Sequence, residues 1–265
     1  MAAIRSGGAE IVYEVEGAGP PVVLLHPFPA NREFWRPVSA VLSSRYRLIL
    51  PDLRAHGDSE AGEGLATMPK HAEDIARVMD DAAAARAVMI GVSIGGYALF
   101  EFWRRFRERV AALLLCNTKA QADTPEARAA RLQSAEEVLE RGTEPFFESL
   151  SQKLLGKTTR AARPDLVEGA LRMMRKMSPQ DVAAVQRGMA ERPDSGPTLA
   201  TIQVPTLLLT GEEDVLTGPS EAELMRRNIA GSQLKVVPKA GHYAAWEQPE
   251  AVGLILRQFL DSVAG

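Results

Sequence analysis

The stretch "IGVSIGGYALF", residues Ile90–Phe100, sets one hydroxyl between two glycines where an apolar run gives way to helical spacing. Just before it, "AVMIGV" (Ala87–Val92) is a continuous apolar run of strand length, the pattern of a strand covered on both faces. Just after it, Ile94–Phe106 reads as a helix. The same texture extends outward. "PVVLLH" (Pro21–His26), "YRLILPD" (Tyr46–Asp52) and "VAALLLCN" (Val110–Asn117) are further strand-length runs, separated by helical patterns over Arg36–Leu42 and Met68–Ala85. Alternating strands and helices predict βαβ units with right-handed crossovers. The expected fold class is therefore α/β: a mostly parallel, twisted sheet flanked by helices.

From Thr124 to about Arg192 the pattern changes. "TPEARAARLQSAEEVLERG" opens with Thr124 as N-cap, Pro125 at the first helical position and Glu126 in the first turn, and it stops near Gly142. "RPDLVEGALRMMRKM" and "SPQDVAAVQRGMAE" predict two more helices, and Leu166, Ala170, Met173 and Met177 share one face of the first. No strand is visible in this block, which reads as a helical cap over 123–195 inserted in a core formed by 1–122 and 196–265. Strands resume with "VPTLLLTG" (Val204–Gly211) and "QLKVVP" (Gln233–Pro238), with helices expected near Glu221–Ile229 and Pro249–Val263.

Gly91-Val92-Ser93-Ile94-Gly95 fits G-x-S-x-G in its strand-to-helix context, where the serine sits on a tight turn above the C-terminal edge of the sheet. A neutral hydroxyl is a poor nucleophile and needs a base, which needs an acceptor to orient it. Both are expected downstream, acid first and histidine last. "GEEDVLTGP" follows one strand and offers Glu212, Glu213 and Asp214 as adjacent carboxylates, among which residue type alone does not choose. "KAGHYAAWEQPE" follows the next strand and places His242 in a glycine-preceded loop. Of the other histidines, His26 and His56 fall in loops and are expected to hold backbone, and His71 opens a helix and is expected at the surface. Attack on an ester also creates an oxyanion that preorganised donors must meet. The Ile94 N–H follows the serine at a helix start. In "PFPA" only Phe28 offers a second donor beside the prolines, because Pro27 and Pro29 carry no N–H.

The bulk numbers exclude some alternatives. The chain has 265 residues, 46% hydrophobic and 25% charged, with a formal charge of −3, so disorder is not expected. A pI near 5.9 gives no electrostatic reason to expect nucleic acid or an anionic membrane as partner. No stretch approaches the roughly 18 apolar residues of a membrane span. The single cysteine, Cys116, reads as a small buried hydrophobe. A reduced, cytoplasmic setting is expected, with the chain a monomer or homodimer.

"HPFPANREFW" (His26–Trp35), "DLRAHGDS" (Asp52–Ser59), "GVSIGGY" (Gly91–Tyr97), "GEEDVLTGP" (Gly211–Pro219) and "AGHYAAWEQPE" (Ala240–Glu250) together resemble the α/β-hydrolase superfamily over nearly the whole chain. Within it the chain looks most like the lidded group of 3-oxoadipate enol-lactonases, serine haloperoxidases or perhydrolases, and bacterial carboxylesterases. The resemblance implies Ser93, Asp214 and His242 as a catalytic triad, Phe28 and Ile94 amides as the oxyanion hole, and the helical block as a cap. It implies no cofactor and no metal. Pro27 stands where this group commonly has glycine, and so does Ala55, where the change is expected to be harmless. A serine nucleophile disfavours the chemistry of haloalkane dehalogenases and epoxide hydrolases, which depend on a carboxylate.

The expected substrate is a small-molecule ester or lactone, with a short- to medium-chain carboxylesterase as the leading reading. Leu166, Met173, Met174, Met177 and Met189 from the cap, with Phe28, Trp35 and Tyr97 below, are expected to form an apolar pocket. A lactonase of the enol-lactone type needs cations for its substrate's free carboxylate, and "LRMMRKM" offers Arg172, Arg175 and Lys176. A perhydrolase would use the same site with peroxide. A ligand-binding module that scarcely turns over is the reading from another class.

Overall fold

Gly7 and Gly8 both adopt positive φ (50° and 79°), the backbone that a two-residue hairpin requires. They join β1 (Ala2–Ser6) to β2 (Ala9–Glu16) in an antiparallel pair. The computed structural model describes residues 1–263. The sequence reading assigned no strand here, because "AEIVYEVE" alternates and is half exposed, whereas most of the other strands carry continuous apolar runs. These others are β3 (Pro21–Leu25), β4 (Arg47–Pro51), β5 (Ala87–Val92), β6 (Val110–Cys116), β7 (Thr206–Gly211) and β8 (Gln233–Val237). All eight strands form one sheet of order β1-β2-β4-β3-β5-β6-β7-β8. From β4 onward every pairing is parallel. All residues of β5 and β7 are buried, which explains the apolar runs "AVMIGV" and "LLL" within them.

Between the parallel strands run α1 (Arg36–Leu42), α2 (Met68–Asp81) and α3 (Ile94–Phe106). The chain leaves β3 toward β4 on one side and returns to β5 on the other. That reversal opens a crevice at the strands' C-terminal ends, where α/β sheets place ligands. Helix α2 stops four residues short of the expected Ala85, where Ala83 takes φ of 49°. His71, expected at the surface, is fully buried on the inner face of α2. Ala55, expected to be harmless, has φ of 63°, where a methyl is strained and glycine is not.

Between β6 and β7 the chain is helical throughout: α4 (Pro125–Arg141), α5 (Glu144–Leu154), α6 (Lys157–Ala162), α7 (Pro164–Met174), α8 (Pro179–Ala190) and α9 (Gly196–Leu199). Thr124 caps α4 by accepting the Ala127 N–H, as its position before Pro125 suggests. Ser178 and Asp181 form a reciprocal capping box at α8. Helices α5 and α6 were not anticipated; α5 buries only Phe147, Ser151 and Leu154, a thin stripe in a short segment. The fold closes with α10 (Pro219–Asn228), α11 (Ala244–Glu247) and α12 (Pro249–Val263). Among the described residues no helix is long and apolar enough to cross a membrane.

Candidate active site

Ser93 sits at the junction of β5 and α3 with φ of 55° and ψ of −113°, a conformation that costs a non-glycine residue roughly 1–3 kcal/mol. Surrounding structure enforces it. The Ser93 N–H donates to the Cys116 carbonyl at 3.0 Å, and its own carbonyl accepts from Tyr97 N–H and Thr118 Oγ1. The flanking glycines are steric necessities. A Cβ at Gly91 would come within 2.6 Å of the Gly95 backbone, and one at Gly95 within 2.8 Å of the Leu25 carbonyl. Strand and helix thus approach closely enough to push the serine out of the sheet edge.

His242 and Asp214 arrive from the loops after β8 and β7. His242 Nδ1 lies 2.9 Å from Asp214 Oδ2. The three adjacent carboxylates separate by partner. Glu212 accepts from the Lys239 backbone, Glu213 from the N–H and hydroxyl of Thr158, and Asp214 alone meets the imidazole. Burial would raise the Asp214 pKa. The His242 charge and hydrogen bonds from His242, Asn117 and the Thr217 backbone outweigh that and hold it well below the usual carboxylate range. Its Oδ1 accepts from Leu216 and Thr217 N–H at 2.8 and 3.0 Å, and its Oδ2 from Asn117 Nδ2 at 2.8 Å and Thr217 Oγ1 at 3.0 Å.

Sequence reasoning missed these supports. Asn117 ends the run "LLLCN" in a positive-φ conformation and also donates to the Gly241 carbonyl, tying the acid loop to the histidine loop. The signal available was an Asp followed by Thr three residues later, the spacing of a side-chain-capped turn. Glu247 was missed as well. It is buried in α11 and accepts the N–H of Gly241, next to His242, and of Gly156, at the start of α6.

Ser93 and His242 line one cavity of about 420 Å³, together with Phe28, Tyr97 and Met189. Among the described residues no hydrogen bond joins Ser93 to His242, and ligand-free sites commonly show such loose geometry. The amides of Phe28 and Ile94 donate to no group among the described residues, so both are unspent. The Ile94 N–H opens α3 and carries its helix dipole.

The expected pocket needs correction at five positions. Trp35 is fully buried beneath, edge-on to Phe34. Met173, Met174 and Met177 pack into the apolar core, and Leu166 offers its carbonyl to the Trp246 indole, so none of the five reaches the cavity wall. A helix with apolar residues on one face satisfies that face by packing before it lines anything. In their place α4 and α5 supply Ala127, Ala130, Phe146, Leu150 and Leu154. The expected cations are displaced too: Arg175 pairs with Glu144 and Glu168, and Lys176 with Glu33, all at the surface, and Arg172 is exposed. Lys119, Arg131 and Lys153 reach the wall instead. His26 and His56 hold loop backbone as expected, His26 accepting the Leu53 N–H and His56 donating to the Arg54 carbonyl.

A serine at a strained strand–helix turn, sharing a cavity with a histidine–carboxylate pair from later loops of a mostly parallel sheet, is the arrangement of the α/β-hydrolase class. The alpha/beta hydrolase fold family profile matches residues 20–249, and the chain belongs to that family. It is similar to a solved thermophilic esterase from Thermogutta terrifontis, described as malate-bound: 38% identity, 100% of this chain and 99% of that one, TM-score 0.96. It is similar to 3-oxoadipate enol-lactonase 1 of Acinetobacter baylyi, at 26% identity over 97% of this chain and 95% of that protein. A solved enol-lactonase from Burkholderia xenovorans, at 24% identity with 98% and 100% covered, shares the fold with a TM-score of 0.91.

Proposed function

We propose that this chain is a serine carboxylic ester hydrolase acting on esters of short to medium acyl chain, with Ser93, His242 and Asp214 as its triad. The observation that carries the reading is that Ser93, held at positive φ, shares one cavity wall with a histidine whose far nitrogen is engaged by a buried carboxylate. His242 takes the Ser93 proton as Oγ attacks the ester carbonyl. Asp214 fixes the tautomer and supports the imidazolium. The alkoxide leaves with that proton, and water repeats the sequence on the acyl-enzyme. The Phe28 and Ile94 amides receive the oxyanion; losing one such donor typically costs about 2.7–4 kcal/mol of transition-state stabilisation. On this reading 123–195 acts as a cap over a core of 1–122 and 196–265.

The likeness to a named esterase at 38% identity supports ester hydrolysis, and the likeness to an enol-lactonase supports a cyclic ester as the second substrate class. Lys119 and Arg131 on the cavity wall favour that second reading where the lactone carries an acid. Hydrolysis of 4-nitrophenyl acetate, butyrate and octanoate by wild type and Ser93→Ala tests the proposal. Wild type should turn over the shorter esters, and Ser93→Ala should lose about 10⁴-fold or more in kcat. Unchanged rates in the variant would remove Ser93 from the mechanism.

A further inference from the structure

One side of the cavity carries more positive charge than the fold compensates. Asp123, almost fully buried, is the shared partner of Arg131 at 2.6 Å, Arg192 at 2.8 Å and Lys119 at 3.8 Å. Three cations against one carboxylate leave a net +2 in a group of side chains each at least three-quarters buried. Lys153, exposed and without an ion pair among the described residues, adds a further cation to the cavity wall. A further acid, Glu221, acts on Lys119 without pairing to it. Burial and the charge of Arg192 both hold the Lys119 pKa below its usual value, the behaviour of a cation lacking an adequate anion.

The donors on this side are only partly spent. Arg131 uses Nε on Asp123 and Nη1 on the Gln186 side chain, which leaves Nη2 without a hydrogen bond, and Lys119 donates none among the described residues. Arg192 is held over the Tyr97 ring at 4.2 Å, and Tyr97 lines the same cavity as Ser93. Elsewhere the lining is apolar, with Phe28, Phe146, Leu150 and Leu154, while Met189 Sδ lies 3.6 Å from Arg131 Nη1. The cavity thus combines apolar and cationic lining, with Ser93 on its surface.

We propose that Lys119 and Arg131 form a carboxylate subsite, and that the preferred substrates are esters or lactones carrying a free carboxylate on one arm and an apolar chain on the other. This assignment rests on the hydrolase reading and names its substrate class. An incoming carboxylate accepts from Arg131 Nη2 and Lys119 Nζ and offsets the excess charge; hydrogen bonds to charged groups are worth about 1.5–3 kcal/mol, roughly tenfold or more in selectivity.

The test uses two matched pairs: mono-4-nitrophenyl glutarate against 4-nitrophenyl valerate, and carboxymethyl butyrate against ethyl butyrate. In at least one pair the charged member should have the higher kcat/KM, by roughly tenfold at low salt, with the advantage shrinking as salt rises. Arg131→Gln and Lys119→Met should each reduce that ratio, and Asp123→Asn should enlarge it. Should Arg131→Gln not fold, Lys119→Met carries the test, since it removes a cation without breaking a hydrogen bond. Neutral esters favoured or equal in both pairs, or a ratio indifferent to Lys119→Met, overturns the subsite. Binding of glutarate but not glutaramide by Ser93→Ala protein reads the subsite without turnover. A failed hydrolase reading, seen as no ester turnover by wild type, is thereby told apart from a failed subsite.

Discussion

His242 stands beside a carboxylate and looks into a cavity; His26, His56 and His71 stand beside one another in the sheet's interior. The latter three form a row in space, with ring centroids 5.0 Å apart for His26–His56 and 6.5 Å for His56–His71. His26 must carry its proton on Nδ1, because Nε2 accepts from Leu53 N–H. His56 donates from Nδ1 to the Arg54 carbonyl and leaves Nε2 unpartnered, and neither nitrogen of His71 has a partner among the described residues. Burial is the leading cause that pushes His26 down to about 4, His56 to about 3 and His71 well below its ordinary value. An imidazole becomes a base through an acceptor behind it and space in front of it. With only a backbone carbonyl behind it, as in His26 and His56, or no partner among the described residues, as in His71, and with no space in front, the same ring is a neutral packing element.

The sharpest way to break this contrast is to move the acceptor. Asp214→Asn should reduce kcat by about 10⁴-fold, because the amide favours the wrong His242 tautomer. Glu212→Gln should do little, since its carboxylate faces the Lys239 backbone. Steady-state kinetics on both variants decide it, and the reverse ranking would transfer the acid role to Glu212. Next in size is the turn that presents the proposed nucleophile, Ser93. Gly95→Ala drives a methyl toward the Leu25 carbonyl and should cost about 1–3 kcal/mol in denaturant unfolding, with activity falling alongside.

A smaller effect sharpens the comparison from the acid's side. Thr217→Val deletes the hydroxyl bond to Asp214 Oδ2 but keeps the backbone N–H bonds, so kcat should fall by roughly tenfold or less. A loss approaching that of Asp214→Asn would mean that the hydroxyl sets the histidine tautomer. The mildest test concerns the interior cluster. Between pH 6.5 and about 4 the unfolded chain binds protons at these histidines that the folded chain refuses. Stability is therefore full above pH 6.5 and declines as pH falls through that window. His71→Phe should flatten the slope of the urea midpoint against pH, and a midpoint level from pH 7 to 4.5 in wild type would show that the cluster admits protons freely.

Legibility followed the physics of each segment. Strands buried on both faces leave continuous apolar runs, so β3 to β7 could be read, and the largely exposed β8 was still read from "QLKVVP", whereas the half-exposed β1–β2 hairpin carries a weaker pattern. The elbow could be read because a hydroxyl between glycines at a strand–helix junction answers a local steric demand. His71 misled because its helix position says nothing about which face meets the core. The methionines of α7 misled for a related reason, since apolar spacing marks a buried face without saying what lies against it.

What the amino-acid order determined by itself was local: where backbone hydrogen bonds must be satisfied inside, where glycine is obligatory, and which loops follow which strands. Residue type left three neighbouring carboxylates open and the family resemblance pointed to Asp214; only the tertiary structure set Asp214 against His242, assembled Asn117 and Thr217 behind it, and put Lys119 and Arg131 on the cavity wall. Those outcomes depend on distances between segments some 25 to 120 positions apart, which vary with packing and twist. A one-dimensional pattern records the demand of each residue; the partner that meets it is decided only when the sheet brings the loops together.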